Sequence, residues 1–510
     1  MTGRHVLFDG ASLTLTDLCA IADGVATAGL SPDAAARIDA SRAVVDRHAR
    51  DSRPMYGINT GFGALAETII PRGDLDTLQL NLLRSHAAGV GDPLPARAVR
   101  ATMALRANVL AKGFSGIRRQ TVEHLLALLN ARVHPIVPSR GSVGASGDLA
   151  PLAHLSLVLI GEGTATVGDN PEPLAGGAAL AAAGLSPIAL EAKEGLALIN
   201  GTQPSTAIGA LALMDALRLA RAADIAVALS IDALRGSVHP FEARIHQARP
   251  FEGQQRSAAN VLRLLEGSAI NKSHEKCGRV QDAYSLRCAA QVHGAAREAL
   301  GFVERVLTIE ANAATDNPMV FAEDDEIVSG GNFHGAPVAI AADLLAIAAA
   351  QLATISERRA DRLVNPALSE LPAFLTPKSG LQSGYMMAQV TAAALASEIK
   401  TLSHPASADT IPTSANREDH VSMSMGAALK AERAVALATR VVAIEILLAC
   451  QALDLLAPLV TSPALQRVHA HVRSMVPELG DDRPPSPDIE RIAAMIASGT
   501  LESSCAAEVK

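Results

Sequence analysis

The tripeptide Ala145-Ser146-Gly147 brings together three small residues that could react with their own backbone. If the amide nitrogen of Gly147 attacks the carbonyl carbon of Ala145 and two waters leave, the segment closes into a methylidene-imidazolone ring. Gly147 lets the two backbone segments approach without a Cβ clash, and loss of the Ser146 hydroxyl creates the exocyclic methylene. Such a ring is an electrophile, which no unmodified side chain supplies. The tripeptide therefore predicts an electrophile formed from the chain itself.

Taken alone, the same segment also fits a glycine-rich turn that leads into a helix. Ser146 or Asp148 would then be the N-cap, with Pro151 in the first helical turn. A phosphate-binding loop fits less well, because the segment has neither the lysine of a P-loop nor the spacing of a dinucleotide fingerprint. Other motifs must decide between a structural turn and an electrophile.

Composition favours a mainly α protein with a large core. The chain has 510 residues, of which 49% are hydrophobic, but only 2% are aromatic and none is tryptophan. The core must therefore be built from Ala, Leu, Val and Ile. Because alanine has the highest helix propensity and little bulk to separate packed helices, alanine-rich apolar stretches predict helix packing.

Charge and cysteine usage point to a small-molecule substrate and a reducing compartment. The formal net charge of −8 gives no basic surface for nucleic acid and no polybasic membrane patch. We therefore expect no nucleic-acid partner and no membrane partner. The cysteines are odd in number and lack metal-ligand spacing, so neither disulfides nor a metal site is indicated, and we expect a reducing, cytoplasmic location. They are Cys19, Cys277, Cys288, Cys450 and Cys505.

The most apolar stretches are expected to be buried core helices. Asp343, Arg440, Glu445 and Asp454 interrupt them before they reach the length of a membrane span. A helix that is apolar all round, such as 338–355, belongs at the centre of a bundle.

Periodicity and turn residues predict the order of elements. Residues 1–15 resemble short strands around a turn at Asp9-Gly10, and residues 161–192 a surface hairpin with a turn at 167–171. A helix begins at Ser31-Pro32-Asp33 and ends before Pro54. Further helices are predicted at 75–89, 95–112, 116–131, 204–235, 281–314, 335–363, 383–402 and 420–460, with a linker at 484–487 before one last short helix.

Polar chemistry is concentrated where these helices are interrupted. The motifs occupy residues 56–63, 85–89, 145–147, 194–203, 281–287, 330–334 and 413–420. In order and spacing they resemble the ammonia-lyases that use a methylidene-imidazolone prosthetic group, over about residues 50 to 425. This resemblance implies a long central helix bundle of the fumarase/aspartase type and a smaller mixed N-terminal region carrying the ring.

The resemblance also implies the cofactor, the assembly and the domain boundaries. The cofactor would be 4-methylidene-imidazol-5-one (MIO) formed from Ala145-Ser146-Gly147, with no dissociable cofactor and no metal. The protein would be a homotetramer whose active sites are shared between subunits. We expect an N-terminal region at 1–200, a helical bundle at 201–475 and a C-terminal tail at 476–510.

Site residues follow from the same resemblance. Those assigned to catalysis are Tyr56, Ala145, Ser146, Gly147, Asn200, Tyr284 and Phe333, and those assigned to substrate binding are His86, Asn200, Gln281, Arg287 and Glu418. Tyr56 would be the base that removes the weakly acidic β-proton. Because a phenol has a reference pKa near 10, we expect cationic groups or oriented dipoles that lower the pKa of Tyr56. Arg287 would clamp the substrate carboxylate through two parallel hydrogen bonds.

The remaining assignments concern orientation. Asn200 and Gln281 offer amides that can orient the ring carbonyl and the substrate, Tyr284 can hydrogen-bond in the cofactor region, and Phe333 can shape the space beside the ring. Each residue alone also has an ordinary structural interpretation: Asn200 before Gly201 suits a helix C-cap, and Arg287 could pair with a nearby carboxylate.

Two motifs indicate the substrate. Ser85-His86 and Glu418 resemble the branch of the family that acts on histidine, converting it to trans-urocanate and ammonia. An imidazole offers two ring nitrogens, of which His86 can bond one and Glu418 the other. The alternatives are a phenylalanine or tyrosine ammonia-lyase, a 2,3-aminomutase using the same electrophile, a fumarase/aspartase-like lyase without a prosthetic group, and a non-catalytic helical scaffold.

Two departures from the histidine branch bear on this prediction. Ala283 stands where proline is common, and Arg417 stands where glutamine usually precedes the glutamate. Removing a proline enlarges the unfolded ensemble without deleting a contact. A permanent positive charge at Arg417 could hold Glu418 away from the substrate or keep it ionised.

Overall fold

A computed structural model describes residues 4–50, 54–275, 278 and 280–510. Cys277 lies outside the described residues. The protein is mainly α-helical with a few short strands, which confirms the predicted fold class.

The helices follow the predicted order closely. They are α1 (Leu15–Ala22), α2 (Pro32–His48), α3 (Leu75–His86), α4 (Ala96–Ala111), α5 (Arg119–Asn130), α6 (Leu149–Leu159), α7 (Gly176–Ala182), α8 (Glu194–Ile199), α9 (Gln203–Ala233), α10 (Ala243–Gln247), α11 (Glu252–Leu265), α12 (Ala269–Ser273), α13 (Tyr284–Arg287), α14 (Ala289–Ala311), α15 (Ala336–Val364), α16 (Met386–Leu402), α17 (Ser424–Leu455), α18 (Pro463–Met475), α19 (Ser486–Ser498) and α20 (Thr500–Ser503). The predicted helix at 281–314 is divided into the short α13 and the long α14.

The strands form small sheets of two or three strands. They are β1 (Arg4–Phe8), β2 (Ala26–Leu30), β3 (Val90–Pro93), β4 (Val133–Pro135), β5 (Pro138–Arg140), β6 (Thr164–Val167), β7 (Asn170–Ala175), β8 (Met319–Phe321) and β9 (Glu326–Val328). β1 pairs in parallel with β2; β3 with β5, β4 with β6, β6 with β7, and β8 with β9 pair antiparallel. The hairpin β6–β7 confirms the turn predicted at 167–171.

The N-terminal prediction is wrong in one respect. The chain after Asp9-Gly10 does not return as a strand: the Asp9 carboxylate accepts the amide hydrogens of Ala11 and Ser12, and Thr14 then caps α1 by accepting from the amide of Asp17. The local polar side chains end the strand and start a helix, so β1 finds its partner only after α1.

The chain forms two compact units, and each contains separate parts of the sequence. The first comprises Met1–Leu211, Glu304–Ala342 and Pro405–Leu429; the second comprises Ala212–Val303, Asp343–His404 and Lys430–Lys510. The long helices α9, α14, α15 and α17 each begin in one unit and end in the other. The boundaries predicted at 200 and 475 stay a prediction.

Buried ion pairs occur inside each unit. In the first, Arg106 on α4 is fully buried near Asp316. In the second, Arg359 on α15 donates to both carboxylate oxygens of Glu445 on α17, and all of these groups are inaccessible to solvent. Removing one partner would leave the other as an uncompensated buried charge, so a single substitution in such a pair strongly destabilises the fold.

The prediction that charges interrupt the apolar stretches below membrane-spanning length is wrong. Ala336–Val364 and Ser424–Leu455 are both long and apolar enough to cross a membrane, because their charged residues are too widely spaced. In their most apolar windows, however, 72% and 83% of the residues are buried inside the protein. Both segments are therefore buried core helices, as the sequence predicted.

Candidate active site

The tripeptide lies between β5 and α6, in a loop held by one distant segment of the first unit. Val143 accepts the amide hydrogen of Met423 at 2.8 Å, and the carbonyl of Gly144 accepts the hydroxyl of Ser422 at 2.9 Å. Ala145 and Gly147 are buried, whereas Ser146 is half-buried. The loop is therefore fixed by a distant segment, and Ser146 is the residue of the tripeptide that remains partly accessible.

Gly147 has a backbone that only glycine accommodates without strain. Its φ is +74°, and a Cβ built there would lie 2.4 Å from the carbonyl oxygen of Gly201. The two glycines form a parallel bridge, and the next amide, that of Asp148, donates to the same Gly201 oxygen at 2.8 Å. Close backbone approach therefore explains both glycines.

Ser146 is contacted at both of its oxygens. Nδ2 of Asn200 donates to the backbone oxygen of Ser146 at 2.9 Å. The hydroxyl of Ser146 donates to Oε1 of Glu418 at 2.6 Å. Asn200 is 3% exposed, and its Oδ1 has no hydrogen-bond partner among the described residues. Three segments far apart in sequence thus meet at this serine.

Asp148 acts differently from the N-cap considered above. It precedes α6 but its side chain makes no cap hydrogen bond to that helix. Its carboxylate instead accepts the Ser142 hydroxyl at 2.6 Å and the Ser205 amide, in the first turn of α9, at 2.9 Å. Burial raises the pKa of this fully buried carboxyl. Asp148 therefore ties the loop before the tripeptide to the start of α9.

Glu418 is positioned by a short turn. Thr413 and Glu418 form an antiparallel bridge, and the Thr413 hydroxyl donates to Oε2 of Glu418 at 2.6 Å. The neighbouring Arg417 extends toward Glu67, 3.5 Å away, with both side chains well exposed. The positive charge of Arg417 therefore pairs at the surface with Glu67, a carboxylate other than Glu418.

His86 ends α3 and belongs to the same region. Its Nδ1 donates to the backbone oxygen of Leu82 at 2.9 Å, so Nε2 is the acceptor in the neutral ring. Burial lowers the pKa of His86, an effect that the Leu82 hydrogen bond and the negative charge of Glu418 partly oppose. His154 on α6 accepts the amide hydrogen of Gly89 at 3.0 Å and so fixes the chain that follows His86.

Tyr56 is half-buried in the glycine-rich loop and packs edge-on against Phe62, with ring centroids 6.3 Å apart. Burial raises its pKa, the Gly63 amide hydrogen bond lowers it, and the charge of Glu418 raises it. The prediction of surroundings that lower the pKa of Tyr56 is therefore wrong for this chain, because desolvation outweighs the single backbone donor. The charge of Glu418 raises the pKa of Tyr56 and also acts on the pKa of His86, so the three residues lie in the same region of the first unit.

Phe333 is half-buried in a turn that the neighbouring residues hold. The amide of Gly330 donates to Oδ1 of Asn317 at 2.7 Å. His334 stacks on His420, with ring centroids 5.9 Å apart, and its Nε2 donates to the backbone oxygen of His420. The turn is therefore attached to the segment that carries Glu418.

The other predicted site residues belong to the second unit. Gln281 precedes α13 and is exposed, and Tyr284 is 72% exposed. The guanidinium of Arg287 lies over the Tyr284 ring, 4.6 Å from its centroid. The Arg287 Nε is buried without a hydrogen-bond partner among the described residues. Asp282, the carboxylate nearest to Arg287 in sequence, accepts the Ser237 amide at 2.7 Å.

Sequence reasoning missed several supporting residues. Thr413 holds Glu418, His154 holds the chain after His86, and Arg106 holds the backbone of Asn200. The available signal was strongest for Arg106, a permanent charge within the alanine-rich apolar stretch of α4. Such a residue is buried only when it has specific partners.

Comparisons with known proteins agree on one family. A family profile described as aromatic amino acid lyase matches residues 13–474. A histidine ammonia-lyase from Anaeromyxobacter dehalogenans (strain 2CP-C) is 57% identical over 504 residues, covering 98% of this chain and 99% of that protein.

Solved structures give the same result. The crystal structure of histidine ammonia-lyase from Trypanosoma cruzi matches with a TM-score of 0.93 and 47% identity, covering 99% of this chain and 96% of that one. A tyrosine aminomutase from Streptomyces globisporus matches with the same TM-score at 39% identity, covering 99% of both chains. The fold is therefore shared by proteins that carry out different reactions.

Proposed function

The chain belongs to the aromatic amino acid lyase family, and we propose that it converts L-histidine to trans-urocanate and ammonia without oxidation. It is an ammonia-lyase, like the histidine ammonia-lyases named above. The observation that carries the proposal is the position of Ser146, whose backbone oxygen meets the Asn200 amide and whose hydroxyl meets Glu418. The first contact fits an electrophile formed at this tripeptide, and the second adds a carboxylate suited to an imidazole substrate.

We propose that the electrophile is MIO, formed from Ala145-Ser146-Gly147. A bond from the Gly147 nitrogen to the Ala145 carbonyl carbon expels that oxygen as water, with hydrogens from the Gly147 and Ser146 amides. Ser146 then loses its hydroxyl and α-hydrogen as a second water. The residues fit the group: Gly147 and Gly201 admit the close backbone approach, and Asn200 donates to the oxygen that would become the ring carbonyl. When formed, the ring supplies an electrophilic methylene carbon.

His86 and Glu418 are proposed to bind the imidazole of the substrate. With its Nδ1 bonded to Leu82, neutral His86 offers Nε2 as an acceptor for the substrate N–H. The other ring nitrogen would then share a proton with Glu418. Since the Ser146 hydroxyl leaves during ring formation, Oε1 of Glu418 becomes available for this contact.

Tyr56 is proposed as the base that takes the β-proton, so that the C–H bond breaks as ammonia leaves the neighbouring carbon. Arg287 is proposed to clamp the carboxylate, since its guanidinium is oriented by the Tyr284 ring and can donate two parallel hydrogen bonds. Gln281 and Tyr284 would orient the substrate, and Phe333 would limit the space beside the ring.

We further propose a cytoplasmic homotetramer with shared active sites. Apolar side chains on long helices remain exposed in one chain, including Ile340, Met387 and Val390, whose exposures are 55%, 59% and 46%. Such surfaces favour association. Mixing inactive Tyr56→Phe and Arg287→Lys subunits tests the sharing: activity returns only if one site takes Tyr56 and Arg287 from different chains. No recovery in verified mixed tetramers contradicts shared sites.

Intact mass and activity together test the function. We expect the wild-type chain to weigh two waters less than its encoded mass, with a near-ultraviolet band that the absence of tryptophan leaves uncovered. Ser146→Ala should have the full mass and lose activity, whereas Ser474→Ala, at an exposed helical serine, should match the wild type. A full-mass wild-type chain overturns the proposal.

A substrate panel separates the remaining alternatives. Histidine should give urocanate, while phenylalanine and tyrosine should react poorly. Release of β-amino acids from the aromatic substrates would instead indicate an aminomutase, and lyase products from them would indicate a phenylalanine or tyrosine ammonia-lyase. Activity that persists in a full-mass chain would favour a lyase without a prosthetic group.

A further inference from the structure

Arg106 on α4 belongs to the first unit and has no solvent exposure. Its Nη1 donates to the backbone oxygen of Asn200 and to Oε1 of Gln203, both at 2.7 Å. Its Nη2 donates to the backbone oxygen of Ala197. One planar guanidinium therefore joins the end of α8 to the start of α9.

The oxygens that Arg106 binds are those of a helix end. The carbonyls of Ala197 and Asn200 lie at the C-terminus of α8, where carbonyls lack intrahelical partners. A cation there is favoured by these hydrogen bonds and by the helix dipole. The guanidinium fork, which holds several donors in one plane, suits such converging acceptors better than a lysine ammonium.

The turn that Arg106 holds is the one that contacts the tripeptide. A Cβ at Gly201 would lie 2.6 Å from Nη1 of Arg106, so the guanidinium lies directly against this turn. Gly201 in turn bridges to Gly147, and the side chain of Asn200 donates to the Ser146 oxygen. A displacement of the turn would therefore move Gly201 and Asn200, two of the groups that touch the tripeptide.

Arg106 stays protonated although it is buried. Oδ2 of Asp316 lies 4.0 Å from its Nη2 and 3.6 Å from Nζ of the equally buried Lys193. Burial lowers the pKa of Arg106 to about 10, and the charge of Asp316 opposes that shift. The side chain thus remains a cation and a donor near neutral pH.

We propose that Arg106 is a positioning residue for formation and use of the electrophile, because it sets the Asn200 amide and the Gly201 backbone against Ser146 and Gly147. This inference rests on the proposed function. It predicts that the fraction of chains that lose two waters, and the turnover of those chains, depend on the guanidinium and not only on folding stability.

Arg100 on the same helix provides a matched control. It is 6% exposed and donates to the backbone oxygens of Ile21, Ala22 and Leu129, which lie outside the site motifs. Substituting Arg100 or Arg106 removes a buried arginine bonded to carbonyls in the same unit. Only Arg106 contacts the turn next to the tripeptide.

The experiment compares Arg106→Lys and Arg106→Gln with Arg100→Lys and Arg100→Gln in the full-length enzyme. For each, intact mass gives the fraction lacking two waters, thermal unfolding gives stability, and activity per matured chain gives kcat and KM. We expect the Arg106 variants to mature incompletely and to lose about tenfold or more in kcat with little change in KM, as for loss of a transition-state contact. Lysine should restore part of what glutamine loses. Arg100 variants should lose stability but mature fully.

Two outcomes overturn the inference alone: Arg106 variants that mature fully with wild-type kcat, or Arg100 variants that lose maturation equally at equal stability. If neither Arg106 variant folds, Gln203→Met decides, because it removes one acceptor and keeps the volume. Wild-type maturation and kcat in that variant would also overturn the inference. A wild-type chain at full encoded mass overturns the proposed function, and this inference with it.

Discussion

The hydroxyl of Ser146 donates to Oε1 of Glu418 at 2.6 Å, while Thr413 donates to the other oxygen, Oε2. In the unreacted chain both carboxylate oxygens therefore have a donor. Loss of the Ser146 hydroxyl during ring formation would free Oε1 and leave Thr413 in place to orient the carboxylate. The same chemical step would thus create the electrophile and open a substrate contact.

Glu418→Gln should weaken substrate binding more than ring formation. In this variant the Thr413 hydroxyl would donate to the oxygen of the new amide, so the amide NH₂ would take the place of Oε1. The substrate imidazole would then meet a donor where it needs an acceptor. Loss of a charged hydrogen-bond partner costs about 1.5–3 kcal/mol, so we expect the KM for histidine to rise about tenfold to a hundredfold. Intact mass should still show the loss of two waters. The exposed Glu67→Gln is the control, and an unchanged KM in Glu418→Gln contradicts the assignment.

Gly147→Ala should abolish loss of the two waters. A Cβ there would lie 2.4 Å from the Gly201 oxygen at a φ of +74°. Gly168→Ala is the matched control, because its φ is +63° but no atom lies within 4 Å of the added Cβ. The control should lose only about 1–2 kcal/mol of stability from the left-handed backbone and mature normally. Equal maturation in both variants would contradict a role for the Gly147–Gly201 approach.

Asn200→Asp should lower kcat by about a hundredfold, the order seen when an oxyanion donor is lost. The variant keeps the shape of the side chain but places a carboxylate oxygen against the Ser146 oxygen. Turnover should be measured per matured chain, so that incomplete ring formation is not counted as slow chemistry. Asn365→Asp retains an acceptor for the Ala367 amide and serves as control. Wild-type turnover in Asn200→Asp would exclude the donor role.

Activity should rise with pH into the alkaline range. A tyrosine base works as the phenolate, and burial together with Glu418 raises the pKa of Tyr56 above its reference value of 10.0. The plot of kcat/KM against pH should therefore still rise near pH 10, and Tyr56→Phe should remove the activity. Because the charge of Glu418 raises this pKa, Glu418→Gln should move the rise to lower pH. A plateau reached near neutral pH, with the fold intact by circular dichroism, contradicts this assignment.

Arg417→Gln should leave both KM and kcat within about fivefold of the wild type, because an exposed ion pair contributes only about 0–1 kcal/mol. Arg417 lies 3.5 Å from Glu67 and is well exposed. Its charge therefore has little influence on the substrate contact of Glu418. A large change in KM would show instead that the charge reaches the substrate site.

Much of the helical framework was predictable because its signals are local. Ser31-Pro32 starts α2 as expected, and the long apolar segments form α9, α15 and α17 within a few residues of their predicted ends. The course of the chain after Asp9-Gly10 was not predictable in this way, because the partner of a strand depends on where a distant segment lies. The pKa of Tyr56 was also mispredicted, because burial depends on the whole fold rather than on the glycines beside it.

By itself the sequence determined which chemistry is available: a tripeptide that can cyclise, a tyrosine, an imidazole, a guanidinium and a carboxylate, in an order that resembles one family. Only the tertiary structure decided which groups meet. It brought Asn200 to the backbone oxygen of Ser146 and Glu418 to its hydroxyl. It also placed the carboxylate of Asp148 where it accepts an amide hydrogen of α9, and Arg106 where it donates to the turn that touches the tripeptide. The physical reason is that residue types fix the reactions a chain can undergo, whereas hydrogen bonds and burial depend on neighbours brought together from distant parts of the sequence.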